Sequence, residues 1–475
     1  MKMILQSRIV LALVILGLVS CSKESNDPNP FEITVTTTNF SKMMDENPVN
    51  GQVIGTVSGS TSSGSVTFLL LEQTPANAFT INETTGELKV LNAILFDFEK
   101  NPTITGTIKV YNGIISKNAS VTINLNDVVE ENIFQGNVVL SSQAEVNDFG
   151  THNYVEITGD LIIGKLPNSG YSDITDLSPL LTLERIGGHL YIQYNEILNT
   201  TAGLNNLTSL GNDLAFIDNA SLLKIEGFNN IASGIVGNLI INYNPVLNNL
   251  DGINNVTTVG GQLFITSNVK IPNLDFLGNL VSIERTLTLS NLADIQNFNS
   301  LAKLETIKEL IVNNNPSLKN FDGLQNLKES IEFLKIGKNN SLKNLIGLEN
   351  MNVTGSIVIS NNSQLVNLNG LLKVTTLTSY LEISNNSSLT DLSGLNNLTI
   401  VGYPIKISQN NNLMSLNGFE NLTDVKHLEI STNKNLTDLC AIRNLVTNGS
   451  IIGLSIFSNA YNPTKQDIID GNCSL

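Results

Sequence analysis

Between residues 161 and 459 one short phrase recurs thirteen times: an apolar residue, any residue, a second apolar residue and, in eleven of the copies, an Asn three positions further on. The copies include HLYIQYN from His189, NLIINYN from Asn238, QLFITSN from Gln262, YLEISNN from Tyr380 and HLEISTN from His427. After a first interval of 29 residues, the steps between copies are 24, 25, 24, 24, 23, 24, 23, 24, 24, 23 and 26. A period this constant predicts a solenoid of about 13 coils, because a unit so short can bury its apolar side only against its neighbours.

Each column of the repeat has its own chemistry. Counting from the first apolar residue, positions 0 and +2 are apolar, as in Leu239 with Ile241 and Leu381 with Ile383. That alternation predicts a strand whose two apolar side chains point into the coil. Position +5 is Asn in eleven of the last twelve copies, from Asn195 to Asn459, and Leu292 is the exception. Positions +8 (Leu198, Leu222, Leu247) and +14 (Leu204, Phe228, Ile253) are apolar, and Gly often precedes the latter, as at Gly203, Gly252 and Gly323. An Asn side chain brings two donors and an acceptor in a small volume. Stacked coil over coil, the Asn column is expected to bond backbone groups of its own and adjacent turns. Leaving such a group buried and unpaired would cost about 1–3 kcal/mol, so the column reads as a structural device, not a ligand site.

The pattern L-x-I-x-x-N-x-x-L-x-x-L-x-G-L-x-N-L resembles the leucine-rich repeat, in the variant found in receptor L domains and in repeat-bearing bacterial surface lipoproteins. It covers about two thirds of the chain, residues 161–460. The resemblance implies a right-handed, β-rich coil stack that binds proteins or glycans and catalyses nothing.

Residues 1–20 read as an export signal: Lys2 and Arg8 supply positive charge ahead of an apolar run too short to span a bilayer as a helix. The run ends in Leu18-Val19-Ser20-Cys21, which resembles the bacterial lipobox. The resemblance implies cleavage before Cys21 and a lipid on its thiol, hence an outer-membrane lipoprotein held to the membrane through that anchor and facing the cell exterior. Residues 21–30 form a polar, Pro-bearing tether.

Residues 31–132 carry short alternating segments, such as Val53-Ile54-Gly55-Thr56-Val57 and Gly106-Thr107-Ile108-Lys109-Val110, separated by Gly, Asn, Ser and Pro. That pattern predicts an antiparallel β-sandwich. Asp45-Glu46-Asn47-Pro48, Thr85-Gly86-Glu87-Leu88, Leu95-Phe96-Asp97-Phe98-Glu99 and Asn124-Leu125-Asn126-Asp127 resemble stretches of a cadherin repeat. The resemblance implies a calcium ion held by Glu46, Asp97, Glu99 and Asp127, with Asn126 as a carbonyl donor. Gathered carboxylates suit a hard cation that takes six to eight oxygen ligands. Asn124 departs from the motif, which has Asp there, and the repeat's internal D-x-D is replaced by Ser58-Gly59-Ser60-Thr61.

A solenoid needs lids, since each end is an unpaired strand edge over a bare core. Residues 133–160 supply the first. There Ser142-Gln143-Ala144-Glu145 has capping-box spacing, Val146 and Phe149 follow on one helical face, and Gly150 can end the helix. Residues 461–475 leave the repeat and form the second. With Cys21 lipidated, Cys440 and Cys473 remain, and one leftover pair in an exported protein is expected to form a disulfide, free thiols being the alternative.

The formal charge of −16 would repel phosphate backbones, so nucleic acid is not an expected partner. No G-x-S-x-G, H-E-x-x-H, C-x-x-C or P-loop motif is present, and the reading is of a protein that is not an enzyme. The strand sheet should expose position +1, which is often apolar in the first half (Ile162, Tyr191, Ile240, Phe264, Ile311) and turns charged in the second (Lys335, Glu382, Lys406, Glu429). Tyr194 and Tyr243 stand beside it at +4. An exposed apolar patch marks a contact surface and Tyr suits that role, so Tyr191, Tyr194, Ile240, Tyr243 and Phe264 are the expected binding face. The function expected is a lipid-anchored surface protein that binds or adheres to a protein partner. A glycan-capturing lipoprotein is the first alternative, which the absence of Trp weighs against. A β-helix polysaccharide-degrading enzyme is the second.

Overall fold

The computed structural model describes residues 32–128, 132–231 and 234–475. The expected signal, the tether and Cys21 lie outside the described residues. The chain divides into two compact units, Met1–Glu130 and Glu131–Leu475. The protein is mainly β. Among the described residues no helix is long and apolar enough to cross a membrane.

In the second unit every repeat core is a strand, and successive cores pair in parallel with position 0 against position 0. Leu161 lies opposite Leu190, Leu190 opposite Leu214, Leu214 opposite Leu239, and so on to Leu428 opposite Leu454. Register is fixed because a slip by one residue would turn the apolar pair outward. The side chains at 0 and +2 are fully buried from Leu161 to Ile430, and each contributes on the order of 1.5–3 kcal/mol by leaving water. In the last strand, Ser450–Phe457, the corresponding Leu454 and Ile456 are only half-buried, because no further coil covers them in this structure.

The sheet has sixteen strands, three more than the thirteen copies. Val138–Leu140 adds a strand ahead of the first copy, inside the stretch expected to be only a cap, and pairs with Leu161–Gly164. Thr376–Leu377 and Ile400–Val401 join through Asp424–Ser431. Two-residue strands stand at the same place just ahead of earlier cores, where Arg185–Ile186 and Ser209–Leu210 pair within a separate four-stranded sheet. Strands this short have no alternation to read.

The Asn column runs down the inside. Asn339 donates from its amide to the Val312 carbonyl of the preceding coil at 3.0 Å, and its oxygen accepts the N–H of Asn315 at 2.9 Å. Asn362, Asn386, Asn410 and Asn433 repeat the arrangement. Leu292 interrupts it: its own N–H still donates to Asn315, but it returns no side-chain bond. At +4 the backbone turns through the left-handed region in every coil from Tyr194 (φ 51°) to Ser458 (φ 60°). That turn aims the next residue, the Asn, inward. Gly323 (φ 110°) stands where a Cβ would strike the Phe298 carbonyl of the coil below, which explains the Gly ahead of position +14.

At the first end, helix α1 (Gln143–Gly150) buries Val146 and Phe149. Ser142 caps it by accepting the Glu145 N–H, but the capping box is only half made. The Glu145 carboxylate turns to the N–H and hydroxyl of Ser141 instead of the Ser142 N–H. The helix also runs through Gly150 and is capped at Thr151. At the far end α2 (Arg443–Asn448) and α3 (Lys465–Asp470) close the stack, α3 starting from a complete capping box of Thr464 and Asp467. A disulfide joins Cys440 to Cys473.

The first unit has a four-stranded sheet in the order Phe40–Asp45, Ser116–Asn126, Thr103–Tyr111, Thr67–Thr74, and a three-stranded sheet of Val53–Thr56, Glu87–Val90 and Phe79–Ile81. Phe68, Phe79, Phe96, Ile104 and Ile123 lie in their shared core. The purely antiparallel sandwich expected from the sequence is corrected at one pair: Phe40–Asp45 runs parallel to Ser116–Asn126. Parallel neighbours need a long connection, and here most of the unit separates the two strands.

Asn339→Ala should lower the denaturation midpoint by the equivalent of about 1–3 kcal/mol, since it orphans the Val312 carbonyl and the Asn315 N–H. Urea unfolding followed by circular dichroism reads it, and an unchanged midpoint would mean that the ladder does not stabilise the stack.

Candidate binding face

Position +1 forms a continuous row across neighbouring strands: Ile162, Tyr191, Ala215, Ile240 and Phe264 are successive partners. Ala215 is buried between larger neighbours, whereas Tyr191, Ile240 and Phe264 are half-buried. The five residues expected to form one face divide by chemistry. Ile240 and Phe264 are apolar floor. Tyr191 is tied into a polar cluster. Its hydroxyl donates to Asp213 Oδ2 at 3.1 Å and lies 3.1 Å from His189 Nδ1, and its ring stacks on His189 at 5.3 Å. His189 Nδ1 also stands 3.0 Å from Asp213 Oδ2, and Asn238 donates to Asp213 Oδ1. Burial, the hydrogen bond to Asp213 and the charge of that carboxylate push the Tyr191 hydroxyl up to about 12.

Tyr194 and Tyr243 sit at the left-handed +4 positions, at φ 51° and 57°. Bulky side chains rarely adopt that conformation, and holding one there costs on the order of 1–3 kcal/mol. Between them in the column is Asp218 (φ 53°), so two tyrosines flank a carboxylate on consecutive coils. Tyr171 completes the group: its hydroxyl donates to Asp218 Oδ1 at 3.1 Å, and its ring lies 6.4 Å from that of Tyr194. Tyr171 is 45% exposed and Tyr243 57%. The hydrogen bond and charge of Asp218 raise the Tyr171 hydroxyl above its ordinary value, with Tyr243 and Glu196 adding to the effect.

Sequence reasoning missed Tyr171 and Asp218. A signal was present in the single 29-residue interval, whose surplus residues form the loop that carries Tyr171. That loop returns to the column at Ser172, which donates to Asn195 in place of the missing Asn.

In the first unit, carboxylate oxygens of Glu46, Glu99 and Asp127 lie within 4.8 Å of one another. The other two residues expected to share a calcium ion are engaged elsewhere. Asp97 pairs with Lys100, which lowers its pKa. The Asn126 amide donates to Asp45 Oδ1 at 2.8 Å, and its carbonyl accepts the Glu46 N–H. Glu46 is 5% exposed and accepts backbone N–H bonds from Phe98 and Val128, at 2.7 and 2.8 Å. Its carboxylate therefore pins two distant segments with or without a cation. Glu99 and Asp127 are exposed. Three carboxylate oxygens are at most half of the six to eight that calcium takes.

No family model matches the chain, and no curated protein matches it. Among solved structures, a protocadherin gamma B2 fragment of extracellular cadherin domains 3–6 is 17% identical over 20% of this chain and 23% of its own length, with a TM-score of 0.18. Drosophila N-cadherin EC1-4 is 19% identical over 22% of this chain and 28% of its own, with a TM-score of 0.19. The third cadherin domain from human protocadherin 7 is 17% identical over 22% of this chain and 95% of its own, with a TM-score of 0.19. The chain thus spans about a quarter of the protocadherin gamma B2 fragment. At these scores the fold of the first unit stands on its own strand pairing.

Because Tyr191 holds its proton more tightly in the fold than in the unfolded chain, its contribution is complete below the ordinary tyrosine pKa and fades as pH rises from about 10 to about 12. Tyr191→Phe should therefore lose less stability than the parent across that window. Urea midpoints on either side of it measure the difference, and parallel pH profiles would reject the coupling.

Proposed function

We propose that this is a lipid-anchored cell-surface protein that binds a protein partner through the strand face of a leucine-rich-repeat stack of the receptor L-domain type. Cys21 carries the anchor, the cadherin-like sandwich follows it in the chain, and the coils present a long, preformed surface without catalysis. The observation that carries this reading is the placement of Tyr194 and Tyr243 at left-handed turn positions, with Tyr171 beside them. Asn fills the same column at 291, 314, 361 and 385 and suits that backbone far better. Exposed or half-exposed aromatics at strained positions on a rigid sheet fit a role in contact, since they lie outside the core.

The double variant Tyr194→Asn/Tyr243→Asn should fold as the parent does and lose partner capture. The comparison is a pull-down with the soluble ectodomain against surface extracts, with circular dichroism as the folding control. Equal recovery of every partner by parent and variant would reject the face. Digestion of the protein by protease added to intact cells is the expected sign of outward display, and full protection would place it inside the envelope.

A further inference from the structure

Resting on the strand-face reading, we infer that the site at Tyr171, Tyr194, Asp218 and Tyr243 receives an arginine side chain from an extended segment of the protein partner. Asp218 lies one coil from Tyr194 and one coil from Tyr243. Neighbouring strands stand about 4.8 Å apart, so the tyrosine backbones are roughly 10 Å apart, with the carboxylate between them. One Asp218 oxygen, Oδ1, accepts the Tyr171 hydroxyl. Among the described residues, Oδ2 has no hydrogen-bond partner and the carboxylate makes no ion pair. Glu196 adds a second negative charge near Tyr171.

A half-buried carboxylate with a tyrosine on the coil to either side is complementary to a cation. The quadrupole of each ring attracts positive charge, and the carboxylate supplies the counter-charge. Guanidinium fits better than ammonium: it is planar, stacks on aromatic faces, is weakly hydrated, and offers paired N–H donors to a carboxylate. The protein's own charge of −16 favours the approach of a basic segment over an acidic one. The neighbouring +1 row, Ile240 and Phe264, gives the flanking residues of such a segment an apolar floor.

The probe is a fluorescein-labelled peptide of repeated Gly-Ser-Arg, compared with peptides in which each arginine is replaced by citrulline, its uncharged isostere, or by lysine. Fluorescence anisotropy with the whole ectodomain should show the arginine peptide binding at least about tenfold more tightly than the citrulline peptide, with lysine between them. Affinity should fall as salt rises. Asp218→Asn should weaken the arginine peptide about tenfold. This variant keeps a residue that the fold already accepts at the same turn in four other coils and retains an acceptor for Tyr171, so misfolding does not confound it. Tyr171→Phe, which keeps the ring, should have a smaller effect. Equal binding of the arginine and citrulline peptides, no binding of either, or indifference to Asp218→Asn would each overturn the inference. The two readings fail separately: a partner lost by Tyr194→Asn/Tyr243→Asn but retained by Asp218→Asn would leave the strand face standing and the arginine excluded, whereas a partner retained by Tyr194→Asn/Tyr243→Asn would reject the strand face itself.

Discussion

The Asn ladder is the interaction on which the coil stack depends. Each coil leaves the parallel sheet through a tight turn, and that turn strands a carbonyl at +2 and an N–H at +5 of the same coil. One amide side chain from the next coil serves both, donating to the carbonyl and accepting the backbone N–H of the preceding Asn, as Asn386 does for Ile359 and Asn362. Because the same atoms are met in every coil, the spacing between Asn residues is held within a residue or two while the rest of the coil varies. Where Leu292 replaces Asn, the strands on both sides keep their register, Leu263 opposite Leu287 and Leu287 opposite Leu310. The sheet therefore carries the stack across one missing rung.

The same turn explains which features were legible in the sequence. Positions 0, +2, +5 and +8 face inward and tolerate few side chains, so their recurrence gives the period, the strands and the ladder directly. The two-residue strands such as Arg185–Ile186 are too short to show a period. The left-handed turn at +4 constrains backbone instead of side-chain chemistry, and Tyr, Asp, Ser, Asn, Lys, Gln and Thr all occupy it. A column with no shared chemistry leaves no mark in a single sequence. In the sandwich the alternating segments indicated sheets, but the parallel placement of Phe40–Asp45 depends on which strand it lies beside, and alternation carries no direction.

The candidate site follows the same division. Tyr191, Ile240 and Phe264 were readable because +1 alternates with buried neighbours. Their roles were not, since the bond from Tyr191 to Asp213 crosses 22 residues and exists only after the coils stack. Asp218 was overlooked because its importance comes from being one coil away from two tyrosines, a proximity of about 25 residues in sequence and one strand spacing in space. Of the carboxylates in the first unit, Glu46 shows the opposite case. Its motif was visible, and the structure adds a reason for a carboxylate there that needs no ion: two backbone N–H groups from segments 52 and 82 residues away converge on it.

Coil stacking also sets what such a surface can recognise. Inward columns are committed to the core and the ladder, so variation is confined to +1, +3 and +4, which the parallel register lines up in straight rows. Residues in one row are separated by a single strand spacing, about 4.8 Å, whereas an extended peptide advances about 3.3 Å per residue. A peptide lying across the strands therefore meets a new coil roughly every residue and a half, and its alternate side chains, near 6.7 Å apart, drift out of phase with the rows. Simple side-chain-to-coil matching cannot persist for long under that mismatch. A local cluster such as Tyr171, Tyr194, Asp218 and Tyr243, where a surplus loop adds a residue from outside the rows, is the kind of place where specificity can concentrate, with the flat remainder of the face contributing area.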